Sequence, residues 1–208
     1  DKGDYIRVIT AAQGNVAPVA RDDSGTVNEN STLTVDDGDN PSSVSALTHD
    51  SSPKDVSSED TAPRGITFNN DGTKMYVTGT TGNDINEYTL TTAFDVSTAS
   101  YRDRFALGID AMSVKFNNDG TKMFTASTGG IKEFLLNTAF DITTTANGNT
   151  PETTYSVSGQ DANPFGLDFN NDGTKMFMTG NSTDFIYEYS LSVGFDLSST
   201  VTLLRSLD

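Results

Sequence analysis

The chain is poor in the thiol and imidazole side chains that bind transition metals and serve in many catalytic sites. Its 208 residues include no cysteine, no tryptophan and a single histidine, His49. Disulfides, thiolate metal sites and cysteine catalysis are therefore excluded. His49 has no second histidine or cysteine with which to share a transition metal or a catalytic triad. We interpret it as an ordinary linker residue.

Long apolar segments and positive charge are also scarce. No run approaches the roughly 20 apolar residues of a membrane span, so no membrane insertion is predicted. The chain has 13 Lys and Arg residues against 29 Asp and Glu residues, a formal net charge of −16. This charge repels nucleic acid phosphates, so no nucleic acid partner is expected. We interpret most of the carboxylates as solubilising surface.

Helical periodicity is missing too, and short strands separated by many turns take its place. The octapeptide Phe-Asn-Asn-Asp-Gly-Thr-Lys-Met occurs unchanged at 68–75, 116–123 and 169–176, with spacings of 48 and 53 residues. These spacings match a four-stranded propeller blade and are too long for helical pairs or leucine-rich units. The sequence therefore predicts an all-β fold: a β-propeller-like array of about three four-stranded blades with an extended N-terminal β segment.

Each repeat shows the same order of local patterns. A first strand ends in the phenylalanine of the octapeptide, Asn-Asn-Asp-Gly forms a turn, and Lys-Met opens the second strand. A third strand reads Ile-x-Glu-aromatic-x-Leu, and a Phe-Asp crossing leads to an outer strand. Aspartate before glycine is typical of tight turns with positive φ, so these residues are predicted to be structural. They are Asp71, Gly72, Asp119, Gly120, Asp172 and Gly173.

The chain divides into three predicted segments. They are an extended β segment at 1–42, a Ser/Asp-rich linker with one strand at 43–61, and three repeats at 62–208, bounded at about 62–107, 108–158 and 159–208. The sequence begins without an initiator methionine or an apolar signal core. We therefore expect it to be a piece of a larger protein.

The repeats resemble extracellular propeller repeats of the YVTN and NHL-like kind. They also resemble repeats in surface proteins of marine bacteria and in virion structural proteins of their phages. The resemblance rests on the Phe-x-x-Asp-Gly-Thr-Lys turn and covers the three repeats. It implies a propeller fold and a location outside the cell, at a cell surface or in a virion.

The N-terminal segment resembles the opening of cadherin-like or VCBS-type modules of bacterial adhesins, over 15–23 and 26–35. Acidic residues there cluster around a glycine turn, as in many calcium sites, although the EF-hand spacing is absent. Calcium is thus the one cofactor that the sequence suggests, and a solvated acidic loop is the alternative. The candidate ligands are Asp22, Asp23, Glu29, Asp36, Asp37 and Asp39.

One lysine and one glutamate recur in every repeat, on the second and third strands. They are Lys74, Lys122 and Lys175, and Glu87, Glu133 and Glu188. We predict exposed cross-strand pairs, each worth at most about 1 kcal/mol. The alternative is a ring of carboxylates that binds a cation in a central channel.

We predict a non-enzymatic structural or adhesive module of a large extracellular surface protein or virion fibre, with no catalytic residue. Near-identical blades argue against an enzyme, because an active site requires one blade to differ from its neighbours. The alternatives are a glycan-binding propeller lectin, with Tyr88, Phe134 or Tyr189 stacking on sugars, and a propeller glycoside hydrolase or lyase.

The expected partners are other copies or further repeats of the same protein, and cell-surface glycans. Three blades are not expected to close a ring alone, since propellers have four to eight. Ligand contacts are predicted in the loops that vary between blades. These residues are Thr80, Asn83, Asp84, Ser127, Thr128, Asn181, Thr183 and Asp184.

Overall fold

The computed structural model describes residues 53–207, which form three antiparallel four-stranded sheets. The strands are β1 (Pro63–Phe68), β2 (Lys74–Gly79), β3 (Asp84–Leu90), β4 (Ala99–Ala106), β5 (Ala111–Phe116), β6 (Lys122–Ser127), β7 (Gly130–Leu135), β8 (Thr153–Tyr155), β9 (Pro164–Phe169), β10 (Lys175–Gly180), β11 (Ile186–Leu191) and β12 (Val201–Leu207). Blade 1 contains β1 to β4, blade 2 contains β5 to β8, and blade 3 contains β9 to β12. The predicted all-β, propeller-like array of four-stranded blades is confirmed.

The predictions for the N-terminal part lie outside the described residues. They are the extended segment at 1–42, most of the linker with its strand and His49, and the acidic calcium candidates. Within 53–207, no helix is long and apolar enough to cross a membrane. The only helical elements in this range are two short 3-10 helices, Val96–Thr98 and Ile142–Thr144.

Every octapeptide folds into the same turn between the first and second strands of its blade. In blade 2, Asp119 Oδ1 accepts hydrogen bonds from the N–H and the hydroxyl of Thr121, at 2.9 and 2.6 Å. These bonds hold the pKa of Asp119 below its usual range. Gly120 has a φ of 71° and lies against the ring of Phe140, so a β-carbon there would collide with that ring.

The phenylalanine of each crossing returns to this turn. Phe94, Phe140 and Phe195 have positive φ values of 60°, 57° and 54°, which is uncommon for bulky residues. Their N–H groups donate to the carbonyl of the turn glycine, for example Phe140 to Gly120 at 2.8 Å. The crossing and the turn therefore stabilise each other.

The apolar core lies between blades, because successive side chains of a strand point to opposite faces of its sheet. We call the face of a blade toward the preceding blade its leading face, and the face toward the following blade its trailing face. The core between blades 1 and 2 contains Tyr76, Ile85, Phe105, Leu107, Ala111, Val114, Met123, Phe134, Leu136 and Ile142. The core between blades 2 and 3 contains Phe124, Ala126, Ile131, Val157, Leu167, Met176, Met178, Tyr187, Tyr189, Leu191 and Leu197.

The repeated lysine and glutamate also lie between blades, so the prediction of exposed pairs is wrong for the first two. The side chains of Glu87 and Glu133 are only 0% and 3% exposed. Lys74 Nζ donates to Glu87 and to the carbonyl of Phe140 in blade 2, both at 2.8 Å. Glu87 accepts from the N–H of Ile142 in blade 2 at 3.3 Å. The pair is buried because the next blade covers it.

Candidate functional site

The loop residues predicted to contact a ligand lie at separate places. In blade 1, Thr80 follows β2, Asn83 has a φ of 54°, and Asp84 is buried at the start of β3. In blade 2, Ser127 is buried at the end of β6 and Thr128 is exposed beyond it.

In blade 3, three of these residues lie together in the loop between β10 and β11. Asn181 and Asp184 are exposed, whereas Thr183 donates its hydroxyl to buried Asp161 at 3.0 Å. Asp161 also accepts the N–H groups of Ser182 and Thr183, at 2.9 and 2.8 Å. Asp60 binds the corresponding loop of blade 1 in the same way. In blades 1 and 3, a buried aspartate therefore holds the N–H groups of this loop in place.

The aromatic residues considered for sugar stacking belong to the core. Tyr88, Phe134 and Tyr189 are each at most 1% exposed. They lie on the leading faces of their blades and pack against other apolar side chains. A stacked sugar could not reach these rings in this arrangement.

A polar hollow of about 200 Å³ opens beside the leading face of blade 1. It is lined by Ser58, Glu59, Asp84, Asn86, Tyr101 and Arg104. Asp84 and Asn86 come from β3, Tyr101 and Arg104 from the outer strand β4, and the other two from the turn that precedes β1. We call this hollow the blade 1 pocket.

Hydrogen bonds orient both carboxylates of the blade 1 pocket. Asp84 is 1% exposed and accepts from Asn86 Nδ2 at 3.0 Å and from Arg104 Nη1 at 3.2 Å. Glu59 accepts from the hydroxyl of Ser58 at 2.8 Å and from that of Tyr88 at 3.1 Å. Two acidic side chains, an amide, a guanidinium and two hydroxyls thus line one solvent-accessible space.

Burial and nearby negative charge raise the pKa values of the two phenols beside the pocket, Tyr88 and Tyr101. Burial, followed by the hydrogen bond to Glu59, raises the pKa of Tyr88. Burial, followed by the charge of Asp103, raises the pKa of Tyr101. Both phenols therefore remain protonated near neutral pH and can act as hydrogen-bond donors. Tyr101 is 43% exposed, so its ring is open to solvent.

Two of the pocket residues, Asp84 and Asn86, are at third-strand positions where the blades differ in chemistry. The isoleucine of the third strand, Ile85, has the same pairing position as Ile131 and Ile186. Asp84 therefore corresponds to Gly130 and Phe185, and Asn86 corresponds to Lys132 and Tyr187. Only Asp84 of the six pocket residues was predicted from the sequence; the five that were not predicted are Ser58, Glu59, Asn86, Tyr101 and Arg104. An alignment of the third strands would have marked the difference at two of the six positions, 84 and 86.

The pocket is not a multi-carboxylate metal site. Across residues 53–207, no group of three or more histidine, cysteine, aspartate or glutamate side chains is placed to hold a metal ion. Its two carboxylates are instead accompanied by an arginine, an amide and hydroxyls. This set of groups suits the recognition of a polyhydroxylated or carbonyl-containing ligand.

Comparison with known proteins gives structural neighbours only. No protein-family model matches the chain, and no curated protein matches its sequence. A candidate 6-phosphogluconolactonase from Bacteroides uniformis aligns with a TM-score of 0.48 and 10% identity, over 69% of this chain and 40% of that one. The periplasmic gluconolactonase PpgL of Pseudomonas aeruginosa aligns with a TM-score of 0.45 and 13% identity, over 70% and 42%.

A third neighbour is the β-propeller domain of Cps50 from Myceliophteria thermophila, with a TM-score of 0.41 and 12% identity, over 70% and 40%. This chain spans less than half the length of each of these neighbours. At such identities, the likeness concerns the fold, which is that of propeller blades.

The prediction of a non-enzymatic structural or adhesive module is corrected by these neighbours. Two of those reported carry the names of lactonases, which are hydrolytic enzymes. The blades are also not equivalent at the blade 1 pocket, so near-identical repeats do not exclude an active site there. The three blades share identical turns, but the ends of their strands and their outer strands differ in sequence, as at Asp84 and Arg104.

Proposed function

We propose that the chain is part of a propeller hydrolase that opens an ester or lactone of a sugar-derived substrate in the blade 1 pocket. The observation that carries the proposal is the convergence of Glu59, Asp84 and Arg104 on one hollow. At the positions of Asp84 and Arg104, the other blades have different residues. The neighbours' names only indicate which lactones to test first.

Hydrolysis requires water to attack a carbonyl carbon while a base takes its proton and a donor stabilises the oxyanion. Glu59 is the proposed base, because the other carboxylate, Asp84, is paired with Arg104; the hydroxyls of Ser58 and Tyr88 position Glu59. It then returns the proton to the leaving alkoxide, so that water is added across the C–O bond. Arg104, oriented by Asp84, and the phenol of Tyr101 are the proposed donors to the oxyanion.

A lactonase assay tests this proposal. Acid release from a panel of aldonolactones and acetylated sugars is followed by pH-stat, with spontaneous hydrolysis subtracted. Glu59→Gln and Arg104→Ala are each expected to lower kcat/KM by about 100-fold or more. Arg205→Ala is the matched control, because Arg205 is also on an outer strand, 66% exposed and paired with a glutamate.

Two results decide against the proposal. One is a rate no higher than the spontaneous rate over the whole panel. The other is an enzymatic rate that Glu59→Gln and Arg104→Ala leave unchanged. Saturable binding of a sugar without turnover, lost in Arg104→Ala, would favour the glycan-binding alternative, with Tyr101 as the exposed ring.

Several sequence predictions remain proposals beside this one. They are the kinship with YVTN and NHL-like extracellular repeats, the cadherin-like opening, calcium binding by the acidic residues of 22–39, and a location outside the cell. Support for all four comes from the sequence alone. The proposed association with other copies or further repeats has additional support from the contacts described next.

A further inference from the structure

Each pair of neighbouring blades is joined by the same three polar contacts. The first links the turns: Asn70 Nδ2 donates to the carbonyl of Asn118 at 2.7 Å, and Asn118 Nδ2 donates to that of Asn171 at 2.6 Å. In every case the donor is on the earlier blade. The contact therefore has a direction along the chain.

The other two contacts join the lysine and the glutamate to the next crossing. Lys122 Nζ donates to the carbonyl of Phe195 at 2.8 Å, as Lys74 does to that of Phe140. Glu133 accepts the N–H of Leu197 at 2.8 Å, as Glu87 accepts that of Ile142. Each trailing face thus recognises the Phe-Asp-aliphatic crossing of the following blade.

The trailing face of blade 3 carries the same groups, and within 53–207 no further blade covers it. Ile186 is 48% exposed, whereas its equivalents Ile85 and Ile131 are both 0% exposed. Lys175 donates to Glu188 at 2.7 Å, and within 53–207 it has no crossing carbonyl to bind. Beside them is a largely apolar hollow of about 230 Å³, lined in part by Phe177, Thr179 and Ile186.

The leading face of blade 1 is the complementary surface. Phe94, the first residue of its Phe-Asp-Val crossing, is 58% exposed. Ile66 of β1 is 57% exposed, whereas its equivalents Val114 and Leu167 are 2% and 4% exposed. No other described residue donates to the carbonyl of Phe94.

The segment before β1 already has the shape that a blade interface requires. Val56 packs on the core of this face, and Val157 has the corresponding place in the core between blades 2 and 3. Lys54 lies over the ring of Tyr88, 5.9 Å from its centroid, where Tyr155 packs edge-on against Tyr189 at 5.8 Å. Lys54 and Val56 are therefore part of the docking surface and do not obstruct it.

We propose that the trailing face of blade 3 binds the leading face of blade 1 in a second copy of this chain. Lys175 would bind the carbonyl of Phe94, Glu188 the N–H of Val96, and Asn171 the carbonyl of Asn70. Two copies would present two such interfaces and close a six-bladed ring, within the range of known propellers. A second copy fits because blade 1 carries the same crossing that occupies both internal trailing faces.

The test is the mass of the full chain by light scattering and sedimentation, over a concentration series at about 0.15 M salt, where charge repulsion is screened. The wild-type chain is expected to have twice the mass of one copy. Ile186→Asp on one face and Ile66→Asp on the other should each give single copies. Val193→Asp is the matched control: Val193 is 55% exposed, and its blade 2 equivalent, Thr138, stays exposed between two blades.

Mixing the two variants tests the direction of the contact. The Ile66→Asp chain retains an intact blade 3 face and the Ile186→Asp chain an intact blade 1 face, so a 1:1 mixture is expected to regain dimers through one interface. A wild-type chain that stays single at every concentration would overturn the proposal and leave a further blade of a longer chain as the occupant. Dimers that resist Ile186→Asp, or a mixture that stays monomeric, would overturn it as well.

Discussion

At the scale of single residues, a few side chains determine the conformation of each turn. Asp71, Asp119 and Asp172 each accept two hydrogen bonds from a threonine two residues later. Local bonding of this kind is why aspartate favours turns. Since these carboxylates are already hydrogen-bonded within their turns, residues with a catalytic role are expected among the other acidic side chains.

A methyl group added at Gly120 should destabilise the protein more than one added at Gly108, a glycine of similar conformation. Gly120→Ala places an L residue at positive φ and displaces the Phe140 ring, so we expect a loss of about 2 kcal/mol or more in unfolding free energy. Gly108→Ala is the control, because Gly108 has a φ of 76° and no atom within 4 Å of the added carbon. Urea unfolding measures both. Equal losses would show that the ring contact contributes nothing.

Asp141 should make the chain sensitive to acid. Burial acts to raise the pKa of Asp141, but hydrogen bonds from Arg102 and Thr143 outweigh it and hold the pKa at about 2. A depressed pKa adds stability above the unfolded value of about 3.9, and this is lost as the pH falls toward 2. Asp141→Asn should therefore lower the melting temperature at pH 7 and flatten its dependence between pH 4 and 2. Parallel wild-type and variant curves would contradict this.

At the scale of elements, buried aspartates connect loops that are distant in the sequence. Asp60 and Asp161 bind the N–H groups of the loop between the second and third strands in blades 1 and 3. In blade 2 the corresponding loop is a tight turn. Variable loop length, which suggested ligand contacts, here coincides with the presence of a structural aspartate.

Removing one of these aspartates should open its loop without unfolding the blade. In Asp161→Ala, we expect faster hydrogen exchange at the N–H groups of Ser182 and Thr183, because both lose their acceptor. The turn of blade 2 at 128–129 serves as an internal control and should keep its rate. Unchanged exchange at 182 and 183 would mean that the carboxylate is not their main protection.

At the scale of the whole molecule, blades are joined by cores that no single sheet possesses. Met176, for instance, is fully buried in the core between blades 2 and 3. Because stability depends on these shared cores, neighbouring blades are expected to unfold together, as in other repeat arrays with strong interfaces. The net charge of −16 does not prevent such packing, since the buried Glu87 and Glu133 are each paired with a lysine.

A substitution at a shared core should therefore affect both blades that form it. Met176→Ala is expected to lower the unfolding free energy by about 2–5 kcal/mol. Circular dichroism and tyrosine fluorescence should report one coincident transition in urea, before and after the change. Two separated transitions in the wild type would show that the blades unfold independently, and Val193→Asp on the exposed surface should leave the midpoint nearly unchanged.

The sequence by itself determined the blade and its repetition. The three octapeptides, the third-strand pattern and the Phe-Asp crossing are local signals, because turn chemistry and strand alternation depend on nearest neighbours in the chain. From them follows the order of the four strands within each blade. Asp84 was also within reach of sequence reasoning, as a residue in a variable region.

Only the tertiary structure decided which residues meet across blades and beside the pocket. Glu59 and Arg104 are 45 positions apart in the numbering yet line one hollow, and Glu87 is buried by a crossing 55 residues later. Contacts at such separations depend on how sheets twist and pack, which local patterns do not encode. For the same physical reason, strand alternation predicted exposed lysine–glutamate pairs, whereas the pairs of blades 1 and 2 are buried links between blades.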